Sequence, residues 1–275
     1  MAEIVGAIGV PHNPFTALLI SQGAEGVAES RRLYDAVAEQ LRTMAPDTVI
    51  VVTTDHYNNF FELAVPIFAI GVADATAGPC DYPQLPQHAV ELDGVLAAEI
   101  QTAVVHEDFD VAKSQEFELD HTITAPLGVM MPAMNVRLIP VYVSGSIHPL
   151  PSARRCFALG QAIRRAVERS ALARRVVVAA SGAFSFEVGG PRMSETSHVG
   201  VPAPEWAARA TELLAAGEFE QLVAETTPEQ LTAAGNASGE TLDWLVMLGT
   251  IDPHPPAFIE AQLDDGHAYA AWTVP

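Results

Sequence analysis

The ten residues Asp47-Thr-Val-Ile-Val-Val-Thr-Thr-Asp-His56 read as a buried strand that ends in a chemical group. From Thr48 to Thr54 every side chain is β-branched, with no alternation of polar and apolar, as expected of a strand covered on both faces. Polarity then switches at once to Asp55 and His56. Three further runs share this design, at residues 4–10, 136–143 and 175–180. Between the first two strands, residues 27–44 carry Leu33, Ala36, Val37, Leu41 and Met44 at helical spacing. Between the last two, residues 151–173 carry Phe157, Leu159, Ile163 and Val167 on one face and most of their arginines on others. Alternating strand and helix predicts an α/β domain with a mainly parallel central sheet flanked by helices.

The C-terminal third is more helical, with helices expected at 203–215, 218–224, 228–233 and 239–248. Asn236 and Ser238 stand where caps of the last would lie, and residues 268–274 read as a final strand. No Pro/Gly/Ser-rich linker divides the chain, so a single domain over residues 1–275 is expected.

Composition narrows the function. Fourteen Lys and Arg against 34 Asp and Glu leave a formal charge of −20, which argues against nucleic acid or an anionic membrane as partner. The two cysteines, Cys80 and Cys156, cannot staple 275 residues. The start lacks a basic segment and runs into Pro11, and apolar stretches such as 122–136 fall short of the ~20 residues of a membrane span. A cytoplasmic location is the expectation.

The polar groups at the strand ends carry the chemistry. Strand one runs into His12, strand two into His56, strand three into Ser144-Gly145-Ser146 and strand four into Ser181-Gly182. In open parallel sheets these carboxyl ends face one crevice. Two histidines at neighbouring strand ends can share a metal ion, and Glu240, expected in a helix's first turn after a glycine, is the candidate third donor. Two imidazoles and a carboxylate suit a non-haem Fe(II) centre with open positions, and equally a Zn²⁺ ion with a hydrolytic water.

Several segments, in order and over nearly the whole chain, resemble the class III extradiol ring-cleavage dioxygenases, in particular the type of catalytic β subunit found in protocatechuate 4,5-dioxygenase. They are Asp47 to His56, Phe117-Glu-Leu-Asp-His121 with Ala125-Pro126-Leu127, Pro151-Ser-Ala-Arg-Arg-Cys-Phe-Ala-Leu-Gly160, and Gly239-Glu240 with Trp244-Leu-Val-Met247. The resemblance implies Fe(II) held by His12, His56 and Glu240, a catechol-type substrate and O₂, and ring opening beside the diol. It gives His121 an acid–base or substrate-orienting role. It also implies a homo-oligomer or pairing with a small α-type subunit.

One segment departs from the family. Where the family has a Ser/Thr-Gly-Gly-x-Ser-His pattern, this chain reads Ser181-Gly-Ala-Phe-Ser-Phe186, so Phe186 replaces the acid–base histidine. General acid–base help is typically worth ~10²- to 10⁴-fold. His121 alone, a replacement such as His198 or His267, or a substrate acidic enough to bind deprotonated would each compensate. The last is preferred, with Phe186 as an apolar wall. Asn13, Tyr57 and His267 are the other expected substrate contacts, and Arg192 is a candidate for a substrate carboxylate. The alternatives are a non-catalytic or partner-dependent subunit and a zinc hydrolase on the same scaffold.

Overall fold

A computed structural model describes residues 1–61, 64–189 and 198–274. Its strands are β1 (Glu3–Val10), β2 (Thr48–Thr54), β3 (Phe68–Gly71), β4 (Ala75–Gly78), β5 (His88–Glu91), β6 (Val111–Ser114), β7 (Arg137–Val143), β8 (Arg175–Ser181), β9 (Glu187–Val188), β10 (Val199–Gly200), β11 (Phe258–Gln262) and β12 (His267–Thr273). Its helices are α1 (Pro14–Ser21), α2 (Ala28–Met44), α3 (Gly94–His106), α4 (His121–Met130), α5 (Ala153–Arg169), α6 (Pro204–Ala216), α7 (Phe219–Glu225), α8 (Pro228–Ala234) and α9 (Thr241–Gly249).

Eight strands form one sheet in the order β11-β12-β1-β8-β2-β7-β3-β6. Its centre, β1-β8-β2-β7, is parallel throughout, while β12, β11 and the β3–β7 pairing are antiparallel. The chain is thus a single α/β domain with helices on both faces. Period-two side-chain alternation explains the unbroken apolar reading of β2: Ile50 and Val52 enter one core, Val49 and Val51 the other. The first core is roofed by α5 and by α9, whose nine residues are all buried. The second is closed by α2 and α4.

Two local expectations change. Asn236 and Ser238 do not cap α9: the Asn236 amide is bonded to the backbone of Val188, and the Ser238 hydroxyl turns back to the carbonyls of Leu231 and Gly235. Residues Ser238–Glu240 form a 3₁₀ turn that leads directly into α9, so no extended N-cap residue exists there. The helix expected over 151–173 is shorter, because Ser152 caps its start through the Arg155 amide and the chain turns extended at Ser170. The stretch 122–136 lies mostly in helix α4, which tolerates Pro126 in its interior.

Candidate metal centre

β1 and β2 flank β8, so His12 and His56, just beyond the carboxyl ends of the outer two, lean over the end of the middle one. The 3₁₀ turn carrying Glu240 lies directly on that edge. Three glycines permit it: a Cβ on Gly182 would stand 2.5 Å from that of Glu240, and one on Gly239 would collide with the Gly145 carbonyl oxygen. Nothing larger fits where strand ends and turn meet.

Glu240 is buried and divides its oxygens. Oε1 lies 3.2 Å from His12 Nε2 and 3.3 Å from His56 Nε2, while Oε2 accepts the Ala183 backbone N–H at 2.7 Å. Burial would raise the Glu240 pKa, but the His12 and His56 rings outweigh it and hold the carboxyl well below the usual range. His56 is raised although burial opposes it, because Glu240, Asp120 and Asp55 favour its cation.

The other nitrogen of His12 is fixed by a relay. Helix α4 has no N–H at Pro126 to meet the Thr122 carbonyl, and the Ser181 hydroxyl donates to that carbonyl instead, at 2.5 Å. Having spent its proton there, Ser181 Oγ is an acceptor towards His12 Nδ1, 3.1 Å away. With an ion between His12 Nε2 and Glu240, this contact would favour the tautomer in which Nδ1 carries the hydrogen and Nε2 offers its lone pair to the ion.

His121 opens α4 after the capping residue Asp120, whose carboxylate accepts from the Thr122 amide and from Asn58. Its ring lies 5.5 Å from that of His12 and 5.1 Å from that of His56. The donor atoms of the three histidines all fall within 4.8 Å of one another, a grouping able to hold a metal ion. His121 Nδ1 is 2.5 Å from Asp81 Oδ2, and Tyr82 packs edge-on to the ring at 5.0 Å. Asp81 and Tyr82 escape sequence reasoning because they sit on a proline-flanked loop without local periodicity.

The expected substrate contacts divide. The half-buried Phe186 ring lies 6.1 Å from that of buried His267, whose pKa is pushed down to about 4 chiefly by burial. Tyr57 is exposed with a left-handed backbone (φ 60°). The Asn13 side-chain oxygen caps α1 through the Phe15 and Thr16 amides, at 3.0 and 3.2 Å. His198 is exposed beside β10, and Arg192 lies outside the described residues. A groove of about 1320 Å³ runs along α3 and α5 and shares no residue with the histidine cluster. Converging donors, not volume, locate the site.

A family model described as "Catalytic LigB subunit of aromatic ring-opening dioxygenase" matches residues 6–270. The chain is 32% identical over 183 residues to a gallate dioxygenase of Pseudomonas putida, a match covering 66% of this chain and 50% of that protein. The chain thus spans half the length of that relative. It is 26% identical over 290 residues to a 2,3-dihydroxyphenylpropionate/2,3-dihydroxicinnamic acid 1,2-dioxygenase of Cupriavidus necator, covering 92% and 90% of the two chains. An uncharacterized protein of Escherichia coli K12 shares the fold at a TM-score of 0.63 and 14% identity, over 98% of this chain and 99% of that one. No described helix is long and apolar enough to cross a membrane.

Proposed function

From the premise that this chain belongs to the family of the catalytic LigB subunit of aromatic ring-opening dioxygenases, we propose that it is an Fe(II)-dependent extradiol dioxygenase whose metal is held by His12, His56 and Glu240. One observation carries the reading: both imidazole Nε2 atoms lie 3.2–3.3 Å from a single oxygen of Glu240. Donors ~2.1 Å from one ion, at angles between ~90° and ~109°, stand roughly 3.0–3.4 Å apart. When bound, the ion would supply open positions where a chelating diol and O₂ meet.

The chain's own residues do the rest. Ala183 N–H and Ser181 orient two of the three donors. His121 handles protons. Phe186 and His267 line the substrate side, and a phenyl ring there cannot accept a proton. That favours an acidic substrate, a catechol with an electron-poor ring or a heteroaromatic diol, which needs less help to ionise. His267, kept neutral by burial, offers one N–H and one lone pair to a ring substituent. Tyr57 and Asn13, next in the chain to His56 and His12, would stand at the mouth, and a second copy or a small α-type subunit would complete the enclosure.

The test is anaerobic loading with Fe(II), then oxygen with catechols, gallates, nitrocatechols and hydroxypyridones, followed by O₂ uptake and product absorbance. Turnover centred on the acidic members is expected. Phe186→His should raise turnover of plain catechol more than that of nitrocatechol, and an equal gain on both would sink the acidic-substrate reading. Phe186 also favours a second reading, a non-catalytic subunit of such a dioxygenase. Stoichiometric iron without O₂ uptake on any diol would support it, whereas a copurifying zinc and activity without O₂ would support a hydrolase.

A further inference from the structure

We propose that Asp81 is the positioning residue that makes His121 the proton acceptor of this site, gripping it at ring and backbone so that Nε2 is the lone-pair nitrogen left for the substrate. The role of His121 rests on the dioxygenase reading; the grip itself does not.

The geometry is that of a clamp. Asp81 lies between β4 and β5, on a loop pinned to the segment entering α4 by the Cys80 amide bonded to the Leu119 carbonyl at 2.8 Å. Its Oδ1 accepts the His121 backbone N–H at 3.0 Å and its Oδ2 faces Nδ1 of the same residue at 2.5 Å. Asn58 adds a third contact to Oδ2 at 3.3 Å and a fourth to Asp120 at 3.0 Å, tying the loop to the N-terminus of α4. Tyr82 closes one side of the ring. An imidazole held at both main chain and ring has little rotational freedom left.

The same contact sets the tautomer. A carboxylate only accepts, so the hydrogen in the short contact belongs to Nδ1, and in the neutral ring Nε2 is then unprotonated. Asp81 stays ionised because its contacts with His121 outweigh its own burial. In the step itself a substrate hydroxyl O–H bond breaks, an Nε2–H bond forms, and the positive charge left on the ring is shared with Asp81. No electron changes hands.

No other imidazole on the substrate side is so equipped. Phe186 has no nitrogen, and His267 beside it has no hydrogen bond to its ring among the described residues. His12 and His56 both face Glu240. The proton chemistry that the missing histidine would perform has one supported place to go.

The experiment reads the tautomer first. In metal-free protein carrying ¹⁵N-labelled histidine, the imidazole nitrogens of His121, assigned by their loss in His121→Gln, should report hydrogen on Nδ1. Asp81→Ala should release the ring to the mixture of free histidine, where Nε2–H prevails, while Asp81→Asn, which keeps an acceptor oxygen, falls between. Binding of Zn²⁺ should stay within about threefold in all three proteins, showing an intact fold. With iron and a diol that the wild type turns over, Asp81→Ala should lower kcat by about 10²-fold with little change in KM. Hydrogen on Nε2 in the wild type, or a tautomer indifferent to Asp81→Ala, overturns the proposal, as does a released ring with unchanged kcat. The expected tautomers in a protein that turns over no diol would support the clamp and count against the dioxygenase reading alone.

Discussion

The proposed donors His12, His56 and Glu240 come from the carboxyl ends of two strands on one edge of the sheet and from a turn seated on glycines, whereas the residues proposed for the substrate side, Asp81, His121, Phe186 and His267, come from a loop, a helix start and the margins of two strands. The donor side meets a tolerance of a few tenths of an ångström, which only elements locked by continuous hydrogen bonding supply. The proton side needs a base and an apolar wall within reach, and more than one residue can provide each. The two sides therefore carry different constraints. Phe186, which the resemblance sets in place of the family's histidine, falls on the permissive one.

The largest effect expected is at the donor side. Glu240→Gln keeps the shape but removes the charge and one acceptor oxygen. Iron content and O₂ uptake should fall together by more than the ~10²-fold that a merely supporting residue costs. Stoichiometric iron in Glu240→Gln, measured after anaerobic reconstitution, would break the division.

Next comes the pH dependence of the metal-free protein, which should have opposite signs on the two sides. His56 is raised from 6.5, so its contribution to stability is full below pH 6.5 and is lost as pH rises through its folded value. His267 is lowered from 6.5 to about 4, so its contribution is full above pH 6.5 and is lost as pH falls towards 4. At ~1.4 kcal/mol per unit the second effect reaches up to about 3 kcal/mol. Denaturant titrations should show the acid loss weakened in His267→Gln and the alkaline loss weakened in His56→Gln. The same slope in both variants would remove the contrast.

Legibility in the sequence divides along the same line. β1, β2, β7 and β8 are readable because strands buried on both faces have little choice but β-branched and small apolar residues, and His12 and His56 are readable as the polar residues just past two of these strands. Glu240 is marked by the glycine before it. Helix α4 is hidden by Pro126 and by the β-branched Thr122 and Ile123, whose local preference is overridden by packing in the second core. Strands β3 and β6, four residues each, and the apolar helix α3 between them carry too little periodicity to declare themselves. Asp81 is invisible because its partner, His121, lies forty residues away in the chain.

The smallest effect tests the link between the two sides, the relay from Pro126 through the Thr122 carbonyl and Ser181 to His12. Ser181→Ala removes the acceptor for His12 Nδ1–H and strands a buried carbonyl, so metal affinity should fall by about 10-fold. Pro126→Ala restores an N–H that competes with Ser181 for that carbonyl. Freed to rotate, the hydroxyl would orient His12 less firmly, and affinity should fall by about 2- to 3-fold, the lower range for one hydrogen bond. Both changes act through one oxygen atom, so the double variant should bind metal no more weakly than Ser181→Ala alone. Competition with a chelator under anaerobic conditions measures all four proteins. Additive losses would mean that the proline acts on the helix alone and that His12 is oriented without it.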